Sequence, residues 1–171
     1  MNFEFSEDQI QLRNEARKFL EAKCPPNAVR AVLEGSEPFD RNLWQGLADM
    51  GFLGVVIPEA YGGLGLGYLE LCVIAEELGR VVAPVPVSSS IFLATEFLLM
   101  AGTEAQKQAW LPKLASGAAI GTLAVAEGVG PLTPRAVKLA ASGGTLTGAK
   151  LPVADGDVAD FAVVAARTAP A

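Results

Sequence analysis

Apolar residues recur at spacings of three and four along the chain up to Gly117, and short apolar runs separated by glycine turns follow. The first spacing is typical of the buried side of an α-helix, and the second arrangement is typical of β-strands. The sequence therefore predicts a helical region followed by a sheet. Predicted helices follow Ser6, Pro25, Asp40, Gly67, Pro86 and Thr103, and predicted strands cover residues 121–126, 136–140, 145–153 and 161–166.

Two of the predicted helices begin with a hydroxyl residue that is followed three positions later by glutamine. These pairs are Ser6 with Gln9 and Thr103 with Gln106. In such a capping box, each side chain accepts a hydrogen bond from the other residue's backbone N–H, which would otherwise have no partner. The helix from Thr103 is expected to end near Ser116, just before the first strand.

The predicted sheet is small. Residues 142–144, Ser-Gly-Gly, suit a hairpin turn. Three or four short strands cannot close a sheet by themselves, and an unpaired edge is normally covered or paired. We therefore expect further chain or a partner to complete this sheet.

Composition and charge exclude several classes of partner. With 171 residues, of which 51% are hydrophobic, the chain can bury a substantial core. Its net charge of -6, without a long basic run, argues against a surface for nucleic acid or for an anionic membrane. The most apolar predicted helix, residues 91–101, is too short to span a bilayer and contains Glu96. We expect neither a nucleic-acid partner nor a membrane segment.

The chain contains no histidine, which excludes Ser-His-Asp triads, Cys-His pairs and two-histidine zinc sites built from this chain alone. Cys24 and Cys72 are too far apart in sequence for a metal-binding pair and provide no disulfide framework. The first eight residues are acidic and lack the basic-then-apolar order of a signal peptide. We expect no metal site and a reducing, cytoplasmic location.

Five separated segments resemble, in the same order, segments of the acyl-CoA dehydrogenase family of flavoproteins. Residues 3–17 are similar to the family's opening helix, IPEAYGGLG at residues 57–65 to its glycine loop, and EELGR at residues 76–80 to the helix end that follows. Residues 102–117 resemble the helix before the family's sheet, and residues 146–167 resemble strands of its middle domain. Their order and spacing make the resemblance specific over essentially the whole chain.

The resemblance implies an α+β fold, with an all-α N-terminal helical bundle at residues 1–119 and part of an antiparallel β-barrel domain at residues 120–171. The family's C-terminal four-helix domain has no counterpart among these 171 residues. In the family, a glutamate of that domain removes the α-proton of an acyl-CoA thioester while a hydride leaves the β-carbon for FAD. No residue here inherits the role of catalytic base, so we expect the chain alone to be inactive.

The resemblance also implies contacts with FAD at two places. By position they are Leu123, Ala124, Val125 and Ala126 on the first strand, and Pro152, Val153 and Ala154 further on. The family usually has threonine where this chain has Ala126, and Trp-Ile-Thr where it has residues 152–154. A Gly-Ser-Asp turn is usual where residues 130–132 read Gly-Pro-Leu. Each lost hydroxyl donor costs on the order of 1 kcal/mol of binding.

Two functions therefore stay open. The first is FAD-dependent α,β-dehydrogenation of an acyl-CoA, with this chain as the N-terminal portion or as a supporting subunit that lacks the base. The alternative is a flavin-free structural or binding subunit of a heteromeric acyl-CoA dehydrogenase. The family implies an electron-transfer flavoprotein as electron acceptor, and a homo- or hetero-oligomer with other acyl-CoA dehydrogenase subunits.

Several charged residues have both a functional and a structural interpretation. Glu127, the only acid at the end of the first strand, could act as a base, but the resemblance favours a structural loop glutamate. Lys150 could hold an anion, although a solvated hairpin lysine is the simpler interpretation. Glu76, Glu77 and Arg80 are expected to form an exposed helix-end cluster or an interface contact.

Two apolar segments are similarly open. The loop at residues 61–65 could line the acyl pocket, because glycine lets backbone approach a ligand closely, but a tight turn is favoured. The helix at residues 91–100 could line a long acyl chain or could simply be buried between domains.

Overall fold

The computed structural model describes residues 4–168. Phe3, the first residue of the family-like opening segment, and the end of the chain at residues 169–171 lie outside the described residues.

The helical region is formed by six α-helices and one wide helical segment. Their bounds are α1 Glu7–Lys23, α2 Pro26–Glu34, α3 Arg41–Asp49, α4 Tyr68–Arg80, the π-helical segment Ser88–Thr95, α5 Glu96–Ala101 and α6 Glu104–Ala115. Short 3-10 turns occupy Phe52–Gly54, Glu59–Tyr61 and Pro134–Ala136. The predicted order of helices before strands is confirmed. Within residues 4–168, no helix has the length and apolar character needed to cross a membrane.

The predicted helix starts are confirmed in detail. The Gln9 N–H donates to Ser6 Oγ at 3.2 Å, and the Ser6 N–H donates to Gln9 Oε1 at 2.9 Å. Thr103 and Gln106 form the same reciprocal pair, with the Thr103 N–H 2.8 Å from Gln106 Oε1. Asp40 caps α3 by accepting from the N–H of Leu43 at 2.9 Å.

The main core lies where α1, α3, α4 and the π-helical segment meet. Its members are apolar side chains from each of these elements, among them Leu20, Leu43, Trp44, Leu47, Ile74 and Ile91. A second cluster, formed by Ile57, Leu98, Leu111, Leu114 and Ala115, packs α6 against the turn before α4. The Trp44 Nε1–H donates to the carbonyl of Gly117 at 2.9 Å, which connects α3 to the entry of the sheet.

The segment predicted as one helix over residues 87–100 contains a wide turn. Residues Ser88–Thr95 are π-helical, and only Glu96–Ala101 continue as an α-helix. The hydroxyl of Thr95 donates to the carbonyl of Ser90, five residues earlier, at 3.0 Å. Such π-helical turns are rare, and they occur frequently at functional sites.

The strands form two small sheets. β1 (Gly121–Ala124) pairs in parallel with β4 (Phe161–Val164). β2 (Ala140–Ser142) pairs antiparallel with β3 (Thr145–Thr147) and parallel with β5 (Arg167–Thr168). The partial β-domain is therefore present, and the long connections β1–β4 and β2–β5 allow the parallel pairings that a two-residue hairpin cannot.

All four predicted strands differ from the structure in their bounds, and β1 and β4 each end two residues early, at Ala124 and Val164. β2 starts at Ala140 rather than at residue 136, because the preceding N–H groups of Lys138 and Leu139 donate to the carboxylate of Glu127. β3 ends at Thr147 rather than at residue 153, before Gly148, whose φ is +144°. The predicted hairpin turn is confirmed, since Gly143 and Gly144 have φ of +57° and +78°.

The expected exposed charge cluster at the end of α4 is also wrong for one member. Glu77 has no exposed surface, and its carboxylate accepts hydrogen bonds from Arg17 on α1 and from Arg80. The buried charge is tolerated because hydrogen bonds from the two guanidinium groups replace those that the carboxylate would make with water. Glu76 is exposed, as expected.

Candidate functional site

The two segments proposed from the resemblance lie side by side. The N–H of Leu151 donates to the carbonyl of Ala126 at 2.8 Å, and the N–H of Gly128 donates back to the carbonyl of Leu151 at 2.7 Å. Earlier on β1, the hydroxyl of Thr122 donates to the carbonyl of Ala154 at 2.6 Å. The end of β1 and the loop at residues 152–154 therefore form one continuous surface, called here the β1–loop surface.

The seven candidate residues differ in exposure along this surface. Ala124 is buried, Leu123, Val125, Ala126 and Val153 are half-buried, and Pro152 and Ala154 are exposed. Leu123 and Ala124 belong to β1, and Val125 and Ala126 follow it directly. Pro152, Val153 and Ala154 form an irregular segment that begins at the Leu151–Pro152 cis peptide bond.

The backbone of this surface has an asymmetric set of hydrogen bonds. The carbonyls of Ala124, Val125 and Ala126 accept from the N–H of Ala165, from Lys150 Nζ and from the N–H of Leu151, at 3.0, 3.0 and 2.8 Å. In contrast, the N–H groups of Val125 and Ala126 form no hydrogen bond within residues 4–168. The surface therefore offers two adjacent backbone donors with no acceptors of their own.

These donors provide a test of whether a flavin suits the residues present. A flavin ring has carbonyl oxygens and an unprotonated ring nitrogen along one edge, and such atoms accept hydrogen bonds. The N–H groups of Val125 and Ala126 are donors of the kind that such an edge needs. The side chains of Ala126, Pro152 and Ala154 add no hydroxyl, so the fit depends on the backbone.

Glu127 is held as a structural carboxylate. It accepts from the N–H groups of Lys138 and Leu139, both at 2.9 Å, and from Lys150 Nζ at 2.7 Å. The Lys150 ammonium, followed by the backbone donors, lowers the pKa of Glu127 to about 2. A carboxylate that is fully bonded and this weakly basic does not suit proton abstraction.

The interpretation of Lys150 as a solvated hairpin lysine is wrong. Only 5% of its side chain is exposed, and its ammonium group joins Glu127 to the carbonyl of Val125. Lys150 therefore fixes the end of β1 through the carbonyl of Val125, the residue that also carries one of the two free N–H donors.

The glycine-rich loop at residues 61–65 is a tight turn. The N–H groups of Leu64 and Gly65 donate to the carbonyls of Gly54 and Ile57, both at 2.9 Å. A Cβ on Gly63 would lie 2.0 Å from the carbonyl oxygen of Ile57, so only glycine allows this approach.

The helix at residues 91–100 has two different sides. Ile91, Ala94 and Leu98 are buried against the rest of the chain, whereas Leu93, Phe97 and Met100 are exposed, Met100 by 81%. Phe97 and Leu98 also border a cleft of about 390 Å³ that reaches β4. One side of the helix is therefore core, and the other is an apolar surface without cover in residues 4–168.

A polar junction behind the β1–loop surface was missed from the sequence. Ser89 Oγ donates to Asp155 Oδ2, and Ser90 Oγ accepts from the N–H of Gly121 at 3.1 Å. Both serines are buried. The run Ser88-Ser89-Ser90 inside an apolar helix was the available signal, because buried hydroxyls need partners.

Similarity to known proteins decides the family. Residues 6–118 match the sequence profile described as acyl-CoA dehydrogenase, N-terminal domain. The chain belongs to the acyl-CoA dehydrogenase family. It is 36% identical over 170 residues to a mitochondrial isovaleryl-CoA dehydrogenase of Arabidopsis thaliana, which covers 96% of this chain and 42% of the relative.

Solved structures of the family agree with this assignment. A structure described as the ChsE4-ChsE5 complex from Mycobacterium tuberculosis has a TM-score of 0.84 at 34% identity, and the match covers 98% of this chain and 46% of that one. A glutaryl-CoA dehydrogenase of Mycobacterium smegmatis in complex with FADH2 has a TM-score of 0.83 at 26% identity, over 96% and 43% of the two chains. The chain thus spans less than half the length of these family members.

Within residues 4–168, no group of three or more His, Cys, Asp or Glu side chains is arranged to hold a metal ion. The two cysteines are free thiols, Cys24 buried and Cys72 exposed.

Proposed function

We propose that this chain provides the N-terminal helical domain, residues 1–119, and the first strands of the middle domain, residues 120–171, of an FAD-dependent acyl-CoA dehydrogenase. The reaction is α,β-dehydrogenation of an acyl-CoA thioester. The observation that carries the proposal is the pair of free N–H donors at Val125 and Ala126, on a surface that family resemblance assigns to the flavin.

The residues of this chain bind and orient. The N–H groups of Val125 and Ala126 would hold FAD by donating hydrogen bonds to it. Pro152, Val153 and Ala154 would line the same site, next to Leu151, whose N–H donates to the carbonyl of Ala126. When bound, FAD supplies the acceptor for a hydride from the β-carbon. Because the carboxylate of Glu127 is occupied by Lys150 and two backbone donors, the base that takes the α-proton comes from outside these residues.

We further propose the remaining partners on the family resemblance. An electron-transfer flavoprotein takes the electrons onward, and the working form is an oligomer of acyl-CoA dehydrogenase subunits. The free thiols of Cys24 and Cys72 suit a reducing compartment such as the cytoplasm.

A second function is favoured by one specific observation, the absence of side-chain donors at Ala126, Pro152 and Ala154. In that case the chain is a flavin-free supporting subunit that shapes the acyl-CoA site of a catalytic partner. The match to a structure described as a complex of two differently named chains is consistent with such an arrangement.

The visible absorption spectrum of the complete gene product separates the two functions. It should be recorded on the protein purified alone and again after co-purification with a co-encoded homologue. A flavin band in the protein alone supports the dehydrogenase function, and a band that appears only with the partner supports a shared site. Absence of flavin from both preparations overturns the first function and leaves the supporting subunit.

A further inference from the structure

Two hydroxyl groups on two other elements donate hydrogen bonds to the loop that follows the cis peptide bond, and a third hydroxyl joins those two elements to each other. Thr122 on β1 donates to the carbonyl of Ala154 at 2.6 Å, and Ser89 on the π-helical segment donates to the carboxylate of Asp155. Ser90, the next residue, accepts from the N–H of Gly121 at 3.1 Å. These bonds, called here the hydroxyl junction, connect the π-helical segment, β1 and the loop.

The junction is a built feature of the interior. Ser89, Ser90 and Thr122 are buried, with exposed fractions of 1%, 0% and 2%. Each of these hydroxyls has a partner, as buried polar groups require, and Ser89 also lies 3.2 Å from the carbonyl of Pro86. The wide turn that carries both serines is closed by the bond from Thr95 to Ser90.

Asp155 is the one carboxylate in the junction, and its backbone is in the left-handed region with φ of +51°. Aspartate tolerates this conformation better than most residues. The bond to Ser89 therefore secures a loop conformation that the backbone alone does not favour.

We propose that Asp155 is a positioning residue that, through Ser89, holds the loop at residues 152–154 against the flavin and couples it to the helix at residues 88–101. This proposal rests on the proposed function, because it needs a flavin on the β1–loop surface. A site with few side-chain donors of its own depends on the fixed placement of its backbone, since misplaced donors lose their hydrogen bonds.

The test uses four variants of the complete gene product, Asp155→Ala, Asp155→Asn, Ser89→Ala and the control Asp157→Asn, an exposed acid in the same loop. We expect the dissociation constant for FAD to rise about tenfold, the factor that corresponds to about 1.4 kcal/mol, in Asp155→Ala and Ser89→Ala. Asp155→Asn should stay within about twofold, because its amide oxygen still accepts from Ser89. Asp157→Asn should also be unchanged.

Two further readouts separate positioning from general stability. The fine structure of the bound flavin band should weaken in Asp155→Ala, and the double variant with Ser89→Ala should lose no more affinity than either single variant, because both remove the same bond. Tight FAD binding by both single variants would overturn the proposal, as would an equal loss in Asp157→Asn.

Hydrogen exchange on the flavin-free protein distinguishes failure of this proposal from failure of the proposed function. We expect the amides of residues 153–158 to exchange about tenfold faster in Ser89→Ala than in the unchanged protein, because the junction opens locally. If the unchanged protein holds no flavin, either alone or with its partner, the proposed function fails and the exchange result alone tests the junction. Unchanged exchange then shows that the junction does not fix the loop.

Discussion

Arg17 on α1 donates two hydrogen bonds to the carboxylate of Glu77 on α4, 3.0 Å from Nε to Oε2 and 2.6 Å from Nη2 to Oε1. Arg80 adds a third bond of 2.8 Å to Oε2 and also reaches Glu21 at 3.2 Å. Glu77 is completely buried, while the side chains of Arg17 and Arg80 are 44% and 38% exposed. This carboxylate therefore connects α1 and α4 beneath a partly solvated pair of cations.

We expect Glu77→Gln to lower the free energy of unfolding by about 2 kcal/mol, because hydrogen bonds to charged groups contribute about 1.5–3 kcal/mol. The exposure of the arginines lets water replace part of the loss, so a larger effect is not expected. Urea unfolding followed by circular dichroism measures the change. The control is Glu76→Gln, an exposed acid one residue earlier on the same helix, which should shift the value by less than about 0.5 kcal/mol. Equal effects of the two substitutions would contradict the prediction.

The acid stability of the chain should follow from three lowered carboxyl pKa values. A hydrogen bond from Gln9 lowers the pKa of Glu70, the bond from Arg17 lowers that of Glu77, and Lys150 lowers that of Glu127 to about 2. An unfolded glutamate titrates near 4.3, so the unfolded chain binds these protons first. Stability from these groups is fully present above about pH 5 and is lost as the pH falls through 4 towards 2.

Unfolding curves at several pH values between 6 and 2 check this prediction. The free energy of unfolding should fall less steeply with decreasing pH in Glu77→Gln, which removes one of the three groups. It should also fall less steeply in Lys150→Met, in which the pKa of Glu127 returns towards the ordinary range. Carboxyl NMR titration of Glu127 in Lys150→Met gives the direct measurement. If neither substitution changes how the free energy of unfolding depends on pH below 5, other groups control the loss of stability in acid.

Much of the helical region could be predicted because its signals are local. Ser6, Asp40 and Thr103 cap helices with atoms at most three residues away, and the family segments keep their spacing along the chain. Glu77 and Lys150 were assigned to the surface because the residues that bury them, Arg17 and Glu127, lie 60 and 23 positions away. When a charged residue is buried by partners this far away in the chain, the periodicity of the sequence around it does not show the burial.

The two segments that the resemblance assigns to FAD do lie together in the structure, at Ala126 and Leu151, but their polar contacts could not be predicted. The bond between Ser89 and Asp155 depends on a π-helical turn, which the apolar pattern cannot separate from an ordinary helix. The turn after α4 shows the same limit, because its left-handed backbone falls on Val82, a residue type that rarely adopts this conformation.

Val82→Gly should stabilise the chain. Val82 has φ of +52° and is 70% exposed, just after α4. For an L-residue this conformation costs about 1–2 kcal/mol, and glycine avoids that cost while losing about 0.5–1 kcal/mol through greater freedom of the unfolded chain. We expect a net gain of about 0.5–1 kcal/mol in the free energy of unfolding. The matched control is Val81→Gly, where φ is -100° and glycine should destabilise. Loss of stability in Val82→Gly would show that packing of the valine outweighs its strain.

Ala126→Thr should strengthen flavin binding, because it adds a hydroxyl beside the free N–H of residue 126 on the β1–loop surface. One additional neutral hydrogen bond contributes about 1 kcal/mol, which corresponds to about fivefold tighter binding. The dissociation constant for FAD, measured by fluorescence quenching on the complete gene product, gives the result. Ala162→Thr provides the control, since this exposed position on β4 adds the same hydroxyl away from the donors. If Ala126→Thr binds no better than the control, the N–H groups of Val125 and Ala126 do not face the ring, and the flavin-free subunit becomes the better account of this surface.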